Sequence, residues 1–254
     1  ELDHILGELA RAGNDHTLAL GYTMASSRAA LAGDVDDAER HLARARQHAG
    51  PDPRPSLVAS LRGAQASIAL GRGDEDAAAR LCAAQLDGHK VNEGRQRYGH
   101  VRRLPVLYVL LPETRDQFLA EDLGPCYRPA LTLAQALVAL REDGRVGPAA
   151  ALTPDTWAAA PSFLPTSWMI ELATAAAAGG QPGAEAAVTD AGAVARPALR
   201  RLADRPAAPR SVKTWARTLL DAMPPEPSAP LELRVLGPTT LRRGGRAVDH
   251  PHWR

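Results

Sequence analysis

Apolar and small residues recur along most of this chain with the period of a helix. Leu2, Ile5, Leu6 and Leu9 fall at i, i+3, i+4 and i+7, one face of a helix that Gly13-Asn14 closes. Two longer stretches follow and superimpose forty positions apart. From Thr17 a helix is predicted to Leu31, Gly33-Asp34 breaks it, and a second helix runs from Val35 to about Gln47 before Gly50-Pro51. From Ser56 the plan repeats: a helix to Leu70, Gly73-Asp74, and a helix from Glu75 to about Leu86 before Asp87-Gly88. Gly33 corresponds to Gly73, Asp34 to Asp74, Ala29 to Ala69, Ala38 to Ala78 and Leu42 to Cys82, which makes this an internal repeat, clearest over 17–50 and 56–88. Small side chains at Ala29, Ala38 and Ala45 let antiparallel helices approach closely, and Asp34 and Asp74 are placed to cap the second helix of each pair.

Beyond Gly88 the repeat fades. The polar stretch from Val91 to His100, with Arg95, Arg97, Arg102 and Arg103 around Tyr98, reads as a solvated basic face in preference to a nucleic-acid surface. Val106 to Leu111 is a β-leaning apolar run too short to separate a strand from a buried helix turn, with a buried helix bounded by Pro112 favoured. Arg128 to Arg141 is a helix with Leu131, Leu133, Ala134, Leu137, Val138 and Leu140 toward the core, closed by Asp143-Gly144. A loop from Val146 to Pro165, anchored by Trp157 and Phe163, precedes an Ala-rich helix from Thr166 to Ala178 that Gly179-Gly180 ends. Gln181 to Ala191, Val194 to Arg205 and Ser211 to Met223 are three further helical segments. Pro224, Pro225, Pro227 and Pro230 form a stiff link, and the domain boundary is placed there, with a helical-repeat domain over 1–222 and a linker over 223–230.

At Leu231 the period changes from that of a helix to two. Leu231 to Val235 alternates as a strand, Gly237-Pro238 turns, Thr239 to Arg243 forms a second strand, Gly244-Gly245 turns again, and Arg246 to Val248 forms a third. The fold class expected is therefore mainly α, a helical-repeat solenoid, with a short antiparallel β meander over 231–254. The run Leu233-Arg234-Val235-Leu236-Gly237-Pro238, the basic second strand, Gly244-Gly245-Arg246-Ala247-Val248 and His252-Trp253-Arg254 together resemble the opening sheet of the OmpR-type winged helix in the Streptomyces antibiotic regulatory protein family. Tyr22, Ala25, Ser26, Ala29, Gly33, Ala38, Leu42 and Ala45 resemble the pattern of the tetratricopeptide repeat, with Ser26 where that family has Gly, and with Arg62 and Gln85 replacing Tyr22 and Ala45 in the second copy. A helical array leading through a Pro-rich link into a winged helix resembles the region after the ATPase module of large actinobacterial transcription regulators. The chain opens on Glu1 without Met and stops inside what reads as an unfinished domain, so a piece of a longer protein is expected.

A formal net charge of +1 removes any global electrostatic argument for nucleic acid or an anionic membrane, so only local patches count. Two cysteines, Cys82 and Cys126, without a CxxC, suit a reducing compartment, and no run has the roughly 20 apolar residues of a membrane helix, so a cytoplasmic protein without membrane contact is expected. The sequence carries no phosphate loop, GxGxxG, GxSxG elbow or HExxH, so no cofactor, metal or catalytic residue is assigned and an enzyme is not expected. His41 and His48, seven apart, lack an acidic or Cys partner at metal-ligand spacing and are read as an exposed or half-packed pair in preference to a metal half-site. Asp34, Asp36 and Asp37, like Asp74, Glu75 and Asp76, are read as capping first turns in preference to calcium loops.

The remaining charge signal is basic. Arg196, Arg200, Arg201, Arg205, Arg210, Lys213 and Arg217 stand against a single acid, Asp204, just before the linker. With Arg242, Arg243 and Arg246 on the meander they are the candidate phosphate contacts, weighed against solvated faces. The function expected is a non-catalytic sensor and interaction segment of a bacterial transcription regulator. It would couple an effector, a protein partner or a second copy of the chain, bound on the repeat surface, to DNA binding by a carboxyl-terminal winged helix. A helical-repeat scaffold without DNA binding is the alternative.

Overall fold

In the computed structural model the described residues are 2–11, 13–90, 104–116, 128–153, 156–157, 164–224, 231–234, 240–243 and 246–247. The basic stretch around Tyr98, Cys126, Phe163, most of the Pro-rich link, the turns at Gly237-Pro238 and Gly244-Gly245 and the closing His252-Trp253-Arg254 lie outside them. The chain is mainly helical. Its helices are α1 (Leu2–Arg11), α2 (Asp15–Ala32), α3 (Val35–Ala49), α4 (Pro55–Gly71), α5 (Glu75–Lys90), α6 (Leu104–Leu110), α7 (Arg128–Asp143), α8 (Gly147–Ala150), α9 (Thr166–Ala178), α10 (Ala184–Asp190), α11 (Ala195–Asp204) and α12 (Arg210–Ala222).

The forty-residue repeat is reproduced hydrogen bond by hydrogen bond at its turns. After α2, Gly33 takes the left-handed conformation (φ +96°), its N–H reaches the Ala30 carbonyl, and the Asp34 N–H reaches that of Ala29. After α4, Gly73 (φ +79°) and Asp74 make the same pair of bonds to Leu70 and Ala69. Each turn thus satisfies two orphan carbonyls of the preceding helix. The aspartate then caps the next helix: Asp34 Oδ1 accepts from the Asp37 N–H at 3.0 Å and Asp74 Oδ1 from the Ala77 N–H at 2.9 Å. Ala38 and Ala78 are fully buried at equivalent places, Leu42 and Cys82 are buried likewise, and α4 packs on both α2 and α3. Gly71 marks the closest approach, since a Cβ there would stand 2.9 Å from the Ala30 carbonyl oxygen.

The second half is organised on α9. Nine of its thirteen residues are buried, and α7, α8, α10, α11 and α12 all pack against it. Trp168, Leu172, Leu133, Leu137, Leu199 and Leu202 fill the centre of a core that also takes in Ala69, Leu70 and Ala78 of the second repeat, so the two halves share one apolar interior. Full burial of each such leucine is worth about 2 kcal/mol. The 3₁₀ turn Gly192–Val194 and α11 lie across the repeat turns: a Cβ on Gly33 would meet Val194 at 3.2 Å, and one on Gly73 would meet Arg201 at 2.9 Å. Val194 and Arg201 are two helical turns apart, about 10 Å, the usual spacing of neighbouring packed helices.

Several boundaries shift from expectation for local reasons. The Gln181 N–H is spent on the Ala176 carbonyl in closing α9, and Gly183 is left-handed (φ +80°), so the helix expected from Gln181 starts only at Ala184. The helix expected to stop near Leu86 runs on to Lys90, and the loop expected after Val146 contains the short α8. Three short strands, β1 (Leu231–Arg234), β2 (Thr240–Arg243) and β3 (Arg246–Ala247), pair antiparallel in the order β1-β2-β3. Arg242 faces Glu232 and Ala247 in the register, and Arg243 faces Leu231 and Arg246. No helix among the described residues is long and apolar enough to cross a membrane.

Candidate functional site

Glu171 sits midway along α9 in a largely apolar helix and is 1 % exposed. Its carboxylate accepts from Arg141 of α7, Nε to Oε2 at 3.0 Å and Nη2 to Oε1 at 2.9 Å. Arg205, just past α11, adds Nη1 to Oε2 at 2.6 Å. Arg141 also reaches across to Glu75 in the first turn of α5, where Nη1 and Nη2 each donate at 2.9 Å. The Trp168 indole N–H donates to Glu75 Oε1 at 2.8 Å, and the Arg141 guanidinium stands 5.1 Å from the Trp168 ring centroid. Four charged residues that are far apart in sequence, and one tryptophan, therefore tie the second repeat to α7, α9 and the end of α11.

Burial by itself would push the Glu171 carboxyl up. The charges of Arg141 and Arg205 and their hydrogen bonds outweigh it and hold the group below the usual carboxylate range. Arg141 is raised despite its own burial, through Glu171 and Glu75. A carboxylate so held has no proton to give near neutrality, and its partners are permanently charged. The network is suited to fixing the relative positions of helices rather than to proton transfer.

An apolar cavity of about 500 Å³ opens on the other side of α9. Met169, Ile170 and Ala173 of α9, Trp157, the turn at Gln181 and Ala187 of α10 are among its lining residues. Gln181 is held on both sides. Its backbone closes α9, and its Nε2 donates to the Leu152 carbonyl at 2.6 Å.

The basic residues singled out before the linker have different partners. Arg205 turns inward to Glu171, so its expected phosphate role gives way to the pairing that a buried carboxylate demands. Arg196 donates to the Pro224 carbonyl, Lys213 to that of Pro206 and Arg217 to that of Ala203, so these three brace the ends of α11 and α12. Arg201 lies over the Gly73 turn, and Arg200 and Arg210 are exposed. Arg242, Arg243 and Arg246 lie on β2 and β3, apart from the helices in sequence.

His41 and His48 both pack on Tyr22, with ring centroids 6.0 and 5.7 Å away. His41 also contacts Asp37, and His48 Nδ1 lies 2.9 Å from Asp15 Oδ1. Among the described residues no group of three His, Cys, Asp or Glu side chains converges as a metal site.

Periodicity alone does not reveal the charge network, yet two signals in the sequence point to it. Glu171 is a lone acid inside the run Trp168-Met169-Ile170-Glu171-Leu172-Ala173, and Glu75 replaces the Val35 of the first repeat. No protein-family model, curated protein or solved structure matches the chain.

Proposed function

We propose that the chain is a non-catalytic sensor and interaction segment of a bacterial transcription regulator, in which binding to a tetratricopeptide-like array bears on a carboxyl-terminal winged-helix domain whose opening meander is β1–β3. The observation that carries this reading is mechanical. The second repeat is clamped through Glu75, Arg141 and Glu171 to Arg205 at the end of α11, and α11 holds Pro224, at the start of the link to the strands, through Arg196. A ligand or partner that moves the repeats relative to α9 would therefore act on the element next to the strands, which is what a coupling segment requires. The resemblances of the repeat pattern and of the 231–254 stretch supply the rest of the reading, and an array of packed helix pairs suits a protein partner or a second copy of the chain.

The test is fluorescence anisotropy with promoter DNA from the gene's own neighbourhood, across a salt series, comparing this chain with one extended past Arg254 along its coding sequence. Binding by the extended chain alone, weakening steeply with salt and preferring promoter over scrambled DNA, supports the regulator. Absence of binding by either turns the assignment to a helical-repeat scaffold.

A further inference from the structure

We infer that the segment from Val194 to Pro209 is a strap across the turns of the helical array, and that its tip, Val194, latches the first repeat, which opens as a unit of its own when that contact is lost. The helices α2, α4 and α7 are each followed by a left-handed glycine, Gly33 (φ +96°), Gly73 (φ +79°) and Gly144 (φ +65°). One stretch of chain lies over all three. A Cβ on Gly33 would stand 3.2 Å from Val194 Cγ1, one on Gly73 2.9 Å from the Arg201 guanidinium, and one on Gly144 3.7 Å from Pro209 Cγ and 3.9 Å from the Ala207 carbonyl oxygen. The contacts recur about every seven residues, two turns of helix, so α11 and the turn that follows it meet the three glycines in order.

The strap is held firmly at one end and lightly at the other. Its body is buried through Ala198, Leu199 and Leu202, Arg205 is bonded to Glu171, and α12 braces it from behind, with Lys213 donating to the Pro206 carbonyl at 2.9 Å and Arg217 to that of Ala203 at 3.3 Å. Val194, at the tip, is 52 % exposed. The two repeats differ in the same way. Glu75 ties the second repeat to Arg141 and Trp168, whereas Val35 at the equivalent place in the first brings no charge. Ala30, Ala38 and Leu42 of the first repeat pack with Ala64 and Ile68 of α4, in a cluster separate from the core around α9, which takes in the second repeat from Ala69 onward.

Toward α9 and α11 the first repeat is met by Val194 over Gly33 and by Thr166, whose Oγ1 donates to the Leu31 carbonyl at 3.0 Å. The same seam holds a cavity of about 260 Å³, bordered by Leu31 and Gly33 of the first repeat, Pro165 and Ser167 at the start of α9, and Val194 and Ala198 of the strap. Atoms that line a void forfeit dispersion contacts, so this seam parts at less cost than the filled core beside it. A helix pair released from its neighbours cannot bury its apolar face, so an opened first repeat loses its helical protection, as repeat arrays do unit by unit. On the regulatory reading this makes the first repeat the movable part, because Val194 stands two positions before Arg196, which holds the Pro224 carbonyl.

Hydrogen exchange followed by mass spectrometry on the 254-residue chain tests the latch without DNA, so its failure is distinct from a failure of the regulatory reading. Val194→Ala removes the methyl groups over Gly33. It is expected to speed exchange in peptides of α2 and α3 by about three- to tenfold, the range for losing two half-buried methyl groups, with peptides of α5 and α9 unchanged. Thr166→Val removes the bond to Leu31 and is expected to speed the same α2 and α3 peptides by about two- to tenfold, the range of one net hydrogen bond. Acceleration confined to the first repeat in either variant supports the latch. Acceleration of equal size in α5 and α9, or none in α2 and α3 in both variants, overturns it.

Discussion

Replacing Glu171 by Gln keeps the shape of the side chain and removes one charge from a place that is 1 % exposed. Removing one member of a buried ion pair typically costs about 3–5 kcal/mol, because the partner is left charged and uncompensated. Here the cost falls at the low end, about 3 kcal/mol, for two reasons visible in the geometry. Arg141 keeps both of its 2.9 Å bonds to Glu75, and the Arg205 side chain is 24 % exposed and can hydrate. Arg205→Gln should cost less, about 1–2 kcal/mol, since Glu171 retains Arg141. Once Glu171→Gln is in place, the added Arg205 change should cost little more, a coupling of at least about 1 kcal/mol in a double-mutant cycle.

Urea unfolding followed by far-UV circular dichroism measures these differences. With a slope of about 3 kcal/mol/M, Glu171→Gln moves the midpoint down by about 1 M. The pH dependence has a definite sign. The folded-state pKa of Glu171 is lowered, so its stabilisation is complete above the ordinary carboxyl pKa of about 4.3 and is lost as pH falls through the lower folded value. The gap between wild type and Glu171→Gln should therefore be constant near neutrality and shrink in strong acid. A gap below about 0.5 kcal/mol at about pH 7, or one that widens as the pH falls, would refute the reasoning.

Three further outcomes follow from the turns and the surface. Gly33→Ala and Gly73→Ala, at φ +96° and +79°, should each cost about 1–2 kcal/mol in the same urea assay, because a Cβ disfavours the left-handed region; no loss at either position would undo the account of the repeat turns. Asp34→Ala and Asp74→Ala should each cost about 1 kcal/mol through the lost cap, and similarly to one another because the two bonds are equivalent. Glu142 is held below the carboxylate range chiefly by the hydrogen bonds that Arg115 donates, at 2.7 and 3.0 Å, but its side chain is 50 % exposed. Glu142→Gln should cost no more than about 1 kcal/mol at about pH 7, an effect that fades in acid as the wild-type carboxylate protonates and that is reduced by salt.

Local chemistry is legible in the amino-acid sequence alone. Periodicity places most of the helices and Gly-Asp pairs mark the two repeat turns, because helix faces, left-handed glycines and aspartate caps depend on residues within a few positions of each other. The same local reasoning puts Leu131, Leu133, Ala134, Leu137, Val138 and Leu140 in the core, where Val138 is half-buried and the other five are buried. Pairings between distant residues have no such signature. The acid at Glu171 finds Arg141 and Arg205 across 30 and 34 positions, and Glu75, which reads locally as a helix-start charge, meets Arg141 across 66. Arg205 has the local pattern of an exposed basic residue, and only the packing of α11 against α9 turns it inward. The apolar cavity likewise depends on how α9 meets the Gln181 turn and α10. Helices and their ends are thus encoded by neighbouring residues, whereas the tertiary structure decides which charges become partners and where space is left, because both depend on contacts that chain spacing does not encode.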